Sequence, residues 1–267
     1  MLKDITIGQY VPGESFVHKL DPRTKIIISF LFIISLFLIE RFFVYGLVVL
    51  FLGGVILDSK IPIKFILRGL KPIVILVLIT ACLNMLMTKG SEDTLIFNYG
   101  IISIYLEGIN LALFMACRII FLIIGASLLT LTTSTIEFTD GIEFLLKPIG
   151  KNISHEIAMM MSIAIRFIPS LTDEADKIMR AQKARGADFE NGRIFKRAKS
   201  MVPILIPLFV NSFKRADELA LAMEARCYRG AKGRTRLRKL QFSKKDILAF
   251  IIFGIFFTAI ILTRIFF

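Results

Sequence analysis

The chain has 267 residues, is 55% hydrophobic and carries a formal charge of +13, with a mean hydropathy of +0.72. Positive charge alone would suit nucleic acid, but the apolar residues come in long uninterrupted runs that need lipid around them, and the basic residues lie between those runs. That pattern excludes a soluble nucleic-acid binder and specifies an integral membrane protein with lipid among its contacts.

Residues 1–25 form a mostly polar N-terminal segment without the apolar core of a cleavable signal peptide. Pro12-Gly13 and Asp21-Pro22 are turn signals within it. Two apolar runs follow, Ile26 to Ile39 and Phe42 to Leu57, parted only by Glu40-Arg41. Each is shorter than the roughly 20 residues that cross a bilayer. They read as a tight helical hairpin with Glu40 and Arg41 at its tip, or as one long tilted helix. Asp58 to Lys71 carries Lys60, Lys64, Arg68 and Lys71 at helical spacing, the pattern of an amphipathic helix on the membrane surface. Pro72 to Met87 is the third span. Lys89 to Glu107 is a polar connection in which two short apolar stretches flank Asn98-Tyr99-Gly100, a β-hairpin pattern. Gly108 to Leu131 is the fourth span.

Thr135 to Lys245 alternates apolar and charged residues and carries most of the lysine and arginine. A short helix is expected near Ile136 to Leu146, then two long ones, Ser154 to Arg185 and Lys196 to Arg226, with Pro148, Pro169, Pro203 and Pro207 dividing or kinking them. Ile247 to Phe267 is the last span. The expected fold is an all-α integral membrane protein with about five transmembrane helices. It divides into residues 1–25, membrane helices in 26–131, a cytoplasmic domain in 132–245 and the final span in 246–267. Placing Thr135–Lys245, the N-terminus and the Asp58–Lys71 segment in the cytoplasm leaves only Arg41, Lys89 and Arg264 outside, as the positive-inside rule requires. The basic run Arg229 to Lys239 reads as an anchor on anionic lipid.

Chemistry leaves little trace. The only Gly-Lys, Gly150-Lys151, is followed by Asn152, so no phosphate-binding loop is present. Cys82, Cys117 and Cys227 give neither a disulfide framework nor a metal motif, and His18 and His155 have no metal-ligand spacing. No catalytic residue, metal site or cofactor is expected in this chain. Arg118, in the fourth span, either meets a partner or lipid headgroup, or else is buried against other helices of the same chain or precedes a span that starts later than Gly108; the latter pair of readings is favoured.

One frame occurs twice. Asp176, Ala181, Ala184 and Arg185 match Asp217, Ala222, Ala225 and Arg226. Each copy ends a helix-forming run with an arginine on the face of its small residues. A cation in a last helical turn is ordinary, favoured by about 0.3–1 kcal/mol. Two in matching frames suit docking into acidic grooves of a soluble partner, because the planar guanidinium pairs bidentately with a carboxylate.

Four stretches resemble one family: Gly8 to Lys25, Arg166 to Leu171 running into Ala181 to Phe189, Pro203 to Val210, and Arg215 to Gly230. On them the chain is similar to the transmembrane (T) component of energy-coupling factor transporters, the CbiQ/EcfT-like branch of ABC-type transporters. The family's two Ala-Arg-Gly motifs map onto Ala184-Arg185-Gly186 and Ala225-Arg226-Cys227, with Cys227 in place of the second glycine. The resemblance implies a cell-membrane protein whose long crossed coupling helices dock two ABC-type ATPase subunits, one at each motif. ATP would be bound by those subunits and the motion passed to a membrane S component that imports a vitamin or metal ion. Two other readings stand beside it. A self-contained permease would bind solute itself. A membrane enzyme using Arg118, Glu107 and the Thr-rich end of the fourth span would turn over alone.

Overall fold

The computed structural model describes residues 10–88, 90, 95–99, 102–148, 150–187, 189, 194–230 and 240–266. In chain order the elements are α1 (Pro22–Leu38), α2 (Val44–Ser59), α3 (Ile63–Leu70), α4 (Val74–Met87), β1 (Leu95–Tyr99), β2 (Ile102–Tyr105), α5 (Leu106–Thr132), α6 (Thr135–Leu146), α7 (Lys151–Ala184), α8 (Ile194–Ala225) and α9 (Lys244–Phe266). The chain is an all-α membrane protein to which one small hairpin is appended. It divides into two compact units, one of residues 8–138 with 239–267 and one of residues 139–238.

In the first unit the apolar helices are α1, α2, α4, α5 and α9. Helices α5 and α9 are long and apolar enough to cross a membrane singly, and α3 with α4 passes the same test as a pair bent by 53°. Helix α1 begins earlier than the apolar run suggests. Asp21 caps it by accepting the Arg23 amide at 2.9 Å, and Pro22 fills the first helical position, where no amide is needed. Arg23 and Lys25, read as part of a polar leading segment, therefore lie in the first turn and are buried.

The helix is interrupted between Leu38 and Val44, and Phe32 of α1 stacks on Phe51 of α2 with ring centroids 5.9 Å apart. One continuous helix would hold those residues ~28 Å apart, so the two runs form a hairpin. Arg264 of α9 pairs with Glu40 at its tip at 2.9 Å.

Lipid tails are as apolar as leucine, so side-chain packing rather than water exclusion holds such helices together. Phe32, Phe51 and Phe256 make a three-ring stack with centroid separations of 5.9, 6.1 and 4.4 Å, worth ~0.5–1.5 kcal/mol per pair beyond area. Gly125 of α5 admits this stack, since a Cβ there would lie 2.6 Å from the Phe32 ring. Leu36, Val48, Leu131 and Ile260 complete the interior.

Strands β1 and β2 pair antiparallel, with Tyr99 opposite Ile102 and Asn98 opposite Ser103. The expected hairpin is thus present; Thr94, Gly100 and Ile101 lie outside the described residues.

At the end of this unit where α1 and α9 begin, a polar latch replaces the hydrocarbon core. Asp246 closes a capping box by accepting the Ser243 amide at 2.7 Å and also takes the Asp21 amide, 225 positions away, at 2.8 Å. Arg23 pairs bidentately with Asp21 at 2.8–2.9 Å and lies 4.1 Å over the Phe242 ring. Burial alone would raise the Asp21 carboxyl, but the Arg23 hydrogen bonds and charge prevail and hold it below its ordinary value. Lys25 Nζ donates to the carbonyls of His18 at 3.0 Å and Thr132 at 2.8 Å, the second being the final carbonyl of α5.

In the second unit α7 and α8 pack along each other. Pro169 lies inside α7, and Pro203 and Pro207 inside α8, without ending either helix. Pro148 follows α6, the one proline here that stands at a boundary.

Candidate functional site

The two arginine motifs end their helices in the same way. In α7 the Gly186 amide bonds to the Lys183 carbonyl at 3.0 Å, and the Ala187 amide to the Gln182 carbonyl at 3.0 Å. In α8 the Cys227 amide bonds to the Glu224 carbonyl at 2.8 Å, and the Tyr228 amide to the Met223 carbonyl at 3.0 Å. Both are Schellman caps, with the residue after the arginine in the left-handed region. Gly186 has φ +87° and Cys227 φ +54°. Cys227 therefore keeps the backbone form that glycine takes at the first motif, at a steric cost of ~1 kcal/mol.

Arg185 and Arg226 are the cap residues themselves, and Ala184, Arg185, Gly186, Ala225, Arg226 and Cys227 are all exposed. Neither guanidinium makes an ion pair or side-chain hydrogen bond with another described residue. Each helix thus presents a cation with no partner among the described residues, beside small side chains that leave room for a partner's backbone. The basic run Arg229–Lys239 lies, beyond Gly230, outside the described residues.

Between the helices is a polar cluster that sequence reading missed. Arg215 Nη2 donates to Glu174 Oε2 at 2.8 Å and its Nη1 to Ser170 Oγ at 2.6 Å. Asn211 donates its amide to the other Glu174 oxygen. Near the start of α7, His155 lies 3.6 Å from Glu143 and 3.4 Å from the Tyr228 hydroxyl.

Arg118 faces its own chain. Its Nη2 donates to the carbonyl of Ile39, the C-cap of α1, at 2.9 Å, and its guanidinium lies 4.9 Å over Phe114 and 5.6 Å over Phe37. Of the favoured readings, the one that packs this residue against its own chain holds. Among the described residues no group of three His, Cys, Asp or Glu could hold a metal.

A cavity of about 680 Å³ lies among α1, α2, α5 and α9, lined chiefly by residues such as Phe32, Leu50, Phe51, Leu128 and Phe253. Its charged members are already engaged: Lys25 with two carbonyls and Asp58 with the Val17 amide at 3.0 Å. It suits hydrocarbon better than a polar solute, which needs convergent polar groups.

A packed set of apolar helices joined in sequence to a pair of long, equivalently capped, arginine-ended helices defines a membrane component built to engage other proteins. Comparison with known proteins agrees. Residues 13–237 match the CbiQ family, described as cobalt transport protein. The chain is 60% identical over 251 residues, 93% of each chain, to the energy-coupling factor transporter transmembrane protein EcfT of Clostridium kluyveri. It is 55% identical over 265 residues, 98% of each chain, to that of Ruminiclostridium cellulolyticum. It is 50% identical over 248 residues, 92% of this chain and 93% of the relative, to that of Bacillus subtilis. The chain belongs to this family of transmembrane components of energy-coupling factor transporters.

Proposed function

We propose that this protein couples ATP hydrolysis by two cytosolic ABC-type ATPase subunits to substrate import by a separate membrane S component. Arg185 and Arg226, with Ala184, Gly186, Ala225 and Cys227 around them, are the docking tips, one for each ATPase. The observation that carries this reading is the identity of the two caps, down to a left-handed Cys227 standing where glycine would be easier. Selection for a helix end alone would not require the same bond pattern twice around an exposed arginine. ATP would bind to the partners, and this chain would carry no catalytic residue or cofactor.

The charge distribution supports a cytoplasmic side for the second unit, the N-terminus and α3, because nearly all lysine and arginine between the apolar helices would then fall there. Exposed apolar residues on α8, among them Leu205, Ile206, Phe209 and Phe213, supply a face that a membrane-embedded S component could cover. The cargo, a vitamin or a metal ion such as cobalt, would be chosen by that S component.

The test is copurification of the tagged chain with its ATPases in detergent. Arg185→Ala with Arg226→Ala is expected to cut recovered ATPase at least tenfold, since each desolvated arginine–carboxylate pair contributes roughly 1.5–3 kcal/mol, while membrane insertion is retained. Full recovery with the double variant would refute the docking assignment. Saturable solute binding by the chain alone would favour the permease reading instead.

A further inference from the structure

The cluster between α7 and α8 has a symmetry that its residue types conceal. The doubled frame places Asp217 against Asp176 and Arg226 against Arg185, an offset of 41 positions. The ion pair Glu174–Arg215 joins two residues with that same offset, so it links equivalent positions of the two copies. Under the same exchange Ser170 becomes Asn211. The contact Ser170–Arg215 becomes Asn211–Glu174, and both of these hydrogen bonds are made. A residue meets its own equivalent only on a two-fold axis, where the flanking contacts must occur as exchanged pairs. All three contacts obey that rule although the side chains differ. Tyr228, just past α8, meets His155 in the first turns of α7, so the helices run antiparallel and their arms leave the axis in opposite directions.

Glu174 and Arg215 each stand eleven residues before the tip arginine. At 1.5 Å per residue both arms are ~16 Å long, and the tips stand ~33 Å apart along the pair. The Glu174 side chain is 17% exposed and that of Arg215 35%, so this is a half-buried pair whose remaining lone pairs and protons are met by a hydroxyl and an amide rather than by water alone.

We infer that Ser170, Glu174, Asn211 and Arg215 form the fulcrum of a two-armed lever. They are positioning residues that hold α7 to α8 at the midpoint between Arg185 and Arg226, so that displacement of one tip is matched by the other. This inference deepens the docking reading above and rests on it for its purpose. The geometry itself is testable without ATPases.

The experiment uses the full chain in lipid nanodiscs, with Cys82→Ser, Cys117→Ala and Cys227→Gly, and nitroxide labels on Arg180→Cys and Leu221→Cys. These labelled positions are again equivalent, one on each arm. Double electron–electron resonance is expected to give one narrow distance distribution. Glu174→Ala should widen it at least twofold. The exchange Glu174→Arg with Arg215→Glu should narrow it again, because the Ser170 hydroxyl and Asn211 amide can each donate or accept. With the two ATPases bound, ATP plus vanadate should shift the distribution as a single population in the parent and in the exchange variant, and split or broaden it in Glu174→Ala. A Glu174→Ala distribution as narrow as the parent's, or an exchange variant no narrower than Glu174→Ala, overturns the fulcrum. Neither outcome touches the docking assignment, which copurification of the arginine variants decides separately.

Discussion

Asp246 gives the sharpest stability prediction. Its carboxylate is 1% exposed and accepts two backbone amides, those of Ser243 at 2.7 Å and Asp21 at 2.8 Å. One bond caps α9, and the other ties the residue that caps α1 to a helix more than 200 positions later. In Asp246→Ala both bonds are lost, and the Asp21 amide, buried with its residue at 7% exposure, is left without an acceptor. Hydrogen bonds to a charged group contribute ~1.5–3 kcal/mol each, and an orphaned buried donor carries the full desolvation penalty. Part of this is offset, because burying the Asp246 charge is itself unfavourable. A net loss of about 3 kcal/mol follows, and at roughly 2–4 °C per kcal/mol for a chain near this size the apparent unfolding midpoint should fall by about 6–12 °C. The assay is loss of the monodisperse size-exclusion peak after heating in dodecyl maltoside. Asp246→Asn should fall between, since its amide group can accept one N–H but presents donors to the other. Glu14→Ala is the control: its ion pair with Lys19 is 3.8 Å long with Glu14 94% exposed, and such surface pairs contribute ~1 kcal/mol at most. A midpoint for Asp246→Ala indistinguishable from that of Glu14→Ala would refute the latch as a stabilising element.

Two further outcomes concern the helix caps and the N-terminal segment. Cys227→Gly should raise the midpoint slightly and Gly186→Ala lower it, each by ~1 kcal/mol of left-handed strain removed or introduced; equal and unchanged midpoints would contradict the matched caps. His18 accepts the Ser15 hydroxyl at 2.7 Å and bonds to the Val11 carbonyl at 3.0 Å. Burial, aided by the Lys25 charge and opposed by the Val11 bond, lowers its pKa below 6.5. The unfolded chain then takes up the proton first, so stability should be full above pH 6.5 and decline as pH falls through the lowered value. His18→Gln should flatten that decline in midpoints measured from about pH 7.5 to about pH 5.5; an unaltered profile would exclude His18 as its source.

Much of this fold was legible because membrane insertion imposes simple demands on sequence. Long apolar runs fix which segments sit in lipid, and basic residues between them suggest the sidedness. The repeated Asp-to-Arg frame identified both candidate tips. Periodicity also located α7 and α8 to within a few residues, with Pro169, Pro203 and Pro207 inside them. These prolines lie within the two helices without ending them, each removing one amide from the helical ladder.

Tertiary structure decided the polar pairings. Asp21 and Asp246 are far apart in the chain, and neither stands out among the charged residues until two helix starts are brought together. Glu174 and Arg215 carry opposite charges where the frame matches elsewhere, so similarity of residue type hides their equivalence, and only their contact reveals it. Local sequence determines which segments become helices, because backbone preference and solvent act residue by residue. Which helix ends meet, and which charges are buried together, depends on contacts between distant positions that no local pattern encodes.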